Sequence, residues 1–90
     1  MTRDTYLEIT YRRGKPLAGY LYLAKSGDAK VARSRKAAPG LVVDYAPDDR
    51  PIGIEITTPS AVSLQAINAV LADLHQQTLE REELAPLLAG

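Results

Sequence analysis

The apolar residues of this chain change their period once, and that change dictates the class of fold. Between Tyr6 and Thr57 they alternate with polar residues, and after Ser63 they recur every three or four positions. Alternation presents one face of a strand, whereas a spacing of three and four presents one stripe of a helix. Strands followed by a helix in one short chain make an α+β domain.

The strands can be placed by their punctuation. Tyr6-Leu7-Glu8-Ile9-Thr10-Tyr11 sends Leu7, Ile9 and Tyr11 to one side, as a half-buried strand does. Arg12-Arg13-Gly14-Lys15-Pro16 breaks it. The second strand, Gly19 to Ala24, is apolar on both faces. It is therefore an interior strand covered on both sides, or one that offers a tyrosine face to a partner. Ser26-Gly27-Asp28 has turn chemistry. Lys30 to Arg35 is a weaker strand, whose charges suit a sheet edge. Pro39-Gly40 fits the centre of a type II turn, because glycine tolerates positive φ. Leu41 to Tyr45 and Ile52 to Thr57 are the strongest strands, joined by a turn at Pro47-Asp48-Asp49-Arg50.

Thr58 or Ser60 can cap a turn on leaving the sheet, and Ser63 is placed to cap the main helix. Leu64, Ile67, Val70, Leu71 and Leu74 form its apolar stripe. The expected fold is a small, twisted, mainly antiparallel sheet of four to five strands over 6–57. A helix over 63–78 packs on one face, against Leu7, Ile9, Val43, Ile52, Ile54 and Ile56. A short helical tail over 79–90 should stop near Pro86.

Ninety residues make a single domain, 1–90. Such a chain buries roughly 60–65% of its unfolded surface. Its stability margin is thin, and association with a second copy is a natural supplement. There is no cysteine, hence no disulfide and no thiolate metal site, which fits a reducing compartment. No apolar run approaches the ~18 residues of a membrane span, and Met1 to Tyr6 does not read as a secretion signal. The expected location is the cytoplasm. Net charge is zero but unevenly spread: residues 1–40 hold nine Lys/Arg and three Asp/Glu, and residues 41–90 hold two and eight. The halves can neutralise each other in one fold, or the basic half can meet an acidic partner.

Four segments then carry a family likeness: Tyr20-Leu21-Tyr22-Leu23, Lys30-Val31-Ala32-Arg33, Gly40-Leu41-Val42-Val43-Asp44-Tyr45 and Gly53-Ile54-Glu55-Ile56. They resemble the YuzE-like bacterial domains of unknown function, the domain-of-unknown-function 2283 family, over about residues 6–60. Members of that family usually carry acidic residues just after the first strand. This chain has Arg12-Arg13-Gly14-Lys15 there, so a role of those acids does not carry over to it. The resemblance implies the fold and no established activity. Because some such domains are encoded beside small toxin-like proteins, it also implies an antitoxin-like or other protein-binding role as one option.

Little in the chain points to catalysis. His75, the single histidine, sits beside Gln76 and Gln77 on the polar side of the helix, with no nucleophile in view. There is no phosphate-binding loop, nucleophile elbow or metal-spaced histidine pair. Glu8, Asp44 and Glu55 share one parity, opposite the apolar residues of their strands. If the register aligns them, three carboxylates lie on one sheet face, where they can bind a divalent cation, act as an acid/base pair, or pair with Arg33 or Arg35. Asp44 and Glu55 fall in the family-like segments and are the first candidates for a polar site. Tyr20 and Tyr22 are the candidate contact residues for a partner, with Arg12, Arg13, Arg33 and Arg35. The expectation is a non-catalytic module with no cofactor and no metal. It would self-associate as a dimer, or bind another protein, through a sheet edge or the tyrosine face. The alternative is a nucleic-acid-binding or antitoxin-like regulator that uses the basic half. No membrane role is expected.

Overall fold

A computed structural model of the protein describes residues 6–23 and 30–88. Five strands form one open antiparallel sheet: β1 (Tyr6–Arg12), β2 (Lys15–Tyr22), β3 (Arg33–Ala38), β4 (Leu41–Tyr45) and β5 (Pro51–Ile56). Their order across the sheet is β1-β2-β5-β4-β3, so β5 is central and β1 and β3 are the edges. Two helices follow, α1 (Leu64–Asp73) and α2 (Arg81–Leu88), after a single 3₁₀ turn at Pro59–Ala61. The α+β class, the antiparallel pairing and the C-terminal helix all agree with the sequence reading. Among the described residues no helix is long and apolar enough to cross a membrane.

Local chemistry explains the turns. Arg13 and Gly14 link β1 to β2 with φ of 54° and 79°, the two positive values that a type I′ hairpin demands. The hairpin is consequently tighter than the five-residue break expected there, and β2 starts at Lys15 rather than Gly19. Pro16 is tolerated because β5 pairs with β2 only from Gly19 onward, so its missing N–H faces no third strand. Pro39-Gly40 closes the β3–β4 hairpin as expected, with Gly40 at φ 79°. The pairing of Ala38 with Leu41 draws β3 three residues further along than the expected 30–35. The expected turn at Ser26-Gly27-Asp28 lies outside the described residues.

Register converts parity into a core. Leu7, Leu21, Ile54 and Val43 pair in one row across four strands, and Ile9, Gly19, Ile56 and Leu41 in the next. Leu21, Leu41, Val43, Ile54 and Ile56 are at most 1% exposed, and Ile52 is buried too. Ile67, Val70 and Leu71 of α1 close over them, with Leu64 and Leu74 at the margin. Of the expected contact surface, Val43, Ile54 and Ile56 share this cluster and Leu7 and Ile9 pack at its margin, whereas Ile52 is buried outside it.

The ends of α1 follow capping rules. Ser63 Oγ accepts from Ala66 N at 3.1 Å, as its sequence position predicts. The helix stops at Asp73, short of the expected 78, because His75 turns left-handed at φ 59°. Gln76 N then donates to Leu71 O at 2.8 Å and His75 N to Ala72 O at 3.0 Å, a Schellman closure. That position favours glycine. His75→Gly should raise stability by about 1 kcal/mol, read as a higher urea midpoint with an unchanged slope. A lower midpoint would contradict the strain assigned to His75.

The tail is also helical, but Pro86 does not stop it; α2 runs on to Leu88. A proline inside a helix removes one hydrogen bond and crowds the preceding turn. Burial of Leu84 and Leu87 offsets this. Leu87 lies so close over Gly19 that a Cβ there would stand 2.9 Å from its Cδ1. Asn68 holds the approach to α2 like a surrogate peptide. It donates to Leu79 O at 3.0 Å and accepts from Leu79 N at 2.8 Å.

Candidate functional site

The helices cover one side of the sheet, and the same register arranges the other. One row across all five strands reads Tyr6, Tyr22, Gly53, Asp44 and Ser34. The next reads Glu8, Tyr20, Glu55, Val42 and Lys36. Glu8, Asp44 and Glu55 thus share a face. Tyr20, Tyr22, Val42 and Glu55 are partly exposed on it, whereas Tyr6, Glu8, Ser34 and Lys36 are open.

Asp44 is the one charged residue buried in the domain among those described, at 3% exposure. A buried carboxylate needs donors. Tyr20 donates its hydroxyl to Asp44 Oδ2 at 2.8 Å, and Ser34 Oγ donates to Oδ1 at 2.6 Å. Tyr20 reaches Asp44 by lying diagonally over Gly53, where a Cβ would collide with its hydroxyl and ring. Glycine inside so strong a strand is explained by this close approach. Glu55 joins the group: a hydrogen bond to Asp44, partial desolvation and the charge of Asp44 hold its carboxyl above the ordinary range.

A second cluster adjoins the first. Tyr22 donates its hydroxyl to Glu8 Oε1 at 2.9 Å. Its ring stacks on Tyr6, centroids 4.6 Å apart and 12° between planes, and meets the edge of Tyr20 at 4.8 Å. Such contacts add to burial and hold the rings in fixed orientations.

The arginines lie elsewhere. Arg33 bonds Asp49 Oδ1 at 3.1 Å and stacks over the Tyr45 ring at 4.2 Å. Both ionic side chains are substantially exposed, so the pair adds little stability. Arg35 pairs with Val43, which puts it on the helix-bearing side. The donors to Asp44 are the hydroxyls of Tyr20 and Ser34, not the guanidinium of Arg33 or Arg35. Arg12 and Arg13 are at the exposed tip of the β1–β2 hairpin. Sequence reasoning put Glu8, Asp44 and Glu55 on one face, where the register has them, but it did not join Tyr20 to Asp44 and missed Ser34 and Gly53. The glycine was the legible signal. Among the described residues no group of three or more His, Cys, Asp or Glu is arranged to hold a metal ion. The carboxylates are engaged by hydroxyls and by one another.

This network makes a pH prediction. Burial, the bond to Asp44 and its charge push the Tyr20 hydroxyl well above the usual 10.0. Its neutral form is favoured by folding, so its contribution is intact below pH 10 and is lost as pH rises beyond that. The domain should lose stability progressively above pH 10, and Tyr20→Phe should flatten that decline. Melting temperature against pH checks it; an equally steep decline in Tyr20→Phe would remove Tyr20 as the cause.

An open antiparallel sheet with helices on one side and a hydroxyl–carboxylate network on the other defines a small α+β fold with one sheet face that none of the described elements covers. Residues 18–58 match the family model described as Protein of unknown function (DUF2283). The resemblance read from the sequence therefore holds over that segment, which contains Tyr20, Tyr22, Ser34, Asp44, Gly53 and Glu55; Glu8 and both helices lie outside it. No curated protein and no solved structure matches the chain.

Proposed function

We propose that this is a non-catalytic interaction domain that associates with a second copy of itself through the tyrosine and carboxylate face. One observation carries the reading: the aromatic group of Tyr6, Tyr22 and Tyr20 lies on a sheet face whose outer residues are open. Tyr6 is 59% exposed. Tyrosine suits protein interfaces, since it offers large apolar area with a polar tip. The hydroxyl network fixes two of the rings beforehand, which lowers the entropy lost on binding. A cytoplasmic location belongs to the same proposal, supported by the cysteine-free composition.

The nucleic-acid alternative draws less support. Arg12 and Arg13 belong to β1 and its turn, Arg33 and Arg35 to β3, the opposite edge. Four strand spacings, roughly 19 Å, separate the pairs, so they do not make one basic patch. Sedimentation equilibrium across the micromolar range tests the main reading. A reversible dimer is expected, and Tyr6→Ala with Tyr22→Ala should abolish it. A monomer at every concentration, or a dimer indifferent to both tyrosines, would reject the proposal.

A further inference from the structure

The row Glu8, Tyr20, Glu55, Val42, Lys36 is charged oppositely at its two ends. Glu8 is on one edge strand and Lys36 on the other, both exposed and both on the open face. Among the described residues no salt bridge engages either of them. Two half-turns can bring this face onto a copy of itself. A half-turn about an axis lying across the strands puts β1 on β1 and β3 on β3. Acid then meets acid, and base meets base. A half-turn about an axis along the central strand β5 keeps each residue's height and exchanges the edges. Then β1 lies over β3 of the second copy, and β2 over β4.

Resting on the self-association just proposed, we infer that the two copies pack face to face about a two-fold axis parallel to β5, with Glu8 of each against Lys36 of the other. Isologous contacts come in pairs, so one ion pair is made twice. Aligned sheet-on-sheet packing is the ordinary geometry for two such faces. The same operation lays Tyr20 over Val42 of the second copy, an apolar contact near the middle. Among the described residues its one like-charge contact is Glu55 against Glu55, at the axis. That contact is the one unfavourable term of the arrangement, and Asp44 beside it already raises the Glu55 carboxyl above its ordinary range.

Charge reversal of the full chain tests this arrangement. Glu8→Lys alone sets lysine against Lys36 at both contacts, and Lys36→Glu alone sets glutamate against Glu8. Each should weaken the dimer about tenfold, the effect shrinking with added salt. The two single variants mixed together should form a heterodimer, since both contacts between positions 8 and 36 are then opposite in sign. The double variant Glu8→Lys/Lys36→Glu should recover the homodimer. Glu55→Gln should tighten it. Both edge positions are exposed, so circular dichroism should report an unchanged fold. Dimers of wild-type strength in both single variants, or no heterodimer in the mixture, would overturn this geometry while leaving self-association standing. A wild-type chain that stays monomeric would overturn both.

Discussion

Replacing Gly53 by alanine should lower the unfolding free energy by about 2–3 kcal/mol, read by urea titration, although only one methyl group is added. The new Cβ would occupy space taken by the Tyr20 hydroxyl and ring. The backbone of β5 is held on both sides by β2 and β4, so the tyrosine is what moves. Its departure removes one of the two hydroxyls bonded to Asp44. A buried carboxylate short of a donor carries the larger part of the loss. The mechanism fixes a second result. In a Tyr20→Ala background, Gly53→Ala should be close to neutral, because nothing remains to displace and alanine suits a strand better than glycine. Full additivity of the two substitutions would refute the account, as would a harmless Gly53→Ala in the wild type.

The other large effect is in the core. Ile54→Ala should cost about 2–5 kcal/mol. Ile54 is fully buried at the centre of β5, between Leu21 and Val43. Strands on both sides and α1 above limit how far the site can collapse. A domain of this size has about 5–10 kcal/mol to lose, so much of its stability depends on this one side chain. Should the alanine variant not fold, Ile54→Val gives a measurable loss of about 1 kcal/mol. Leu17→Ala is the contrast: Leu17 is 50% exposed, and its truncation should change stability by less than about 0.5 kcal/mol. Equal losses at positions 17 and 54 would mean that the parity of the sheet has been misassigned.

Much of this fold was legible because its signals are local. The alternation in Ile52-Gly53-Ile54-Glu55-Ile56 required a dry face whatever strand lay beside it. Ser63 ahead of the Leu64-to-Leu74 stripe marked the start of α1. Pro39-Gly40 specified its turn from two residues alone. The boundaries read less well, since each depends on a remote partner or on one unusual torsion. β3 was displaced by the register of its hairpin, α1 was ended by a left-handed histidine, and α2 passed through Pro86 because Leu87 had Gly19 to rest upon.

The site divides along the same line. Side-chain parity alone put Glu8, Asp44 and Glu55 on one face, because alternation along an extended strand is a covalent consequence of the backbone. Which of them is buried, and what satisfies it, depended on strand order. Ser34 and Tyr20 are ten and twenty-four residues from Asp44 in the chain. They meet it only because β3 pairs with β4, and β2 reaches across β5. That order is chosen by the burial of the whole apolar face, to which every strand and both helices contribute, and no single segment encodes it.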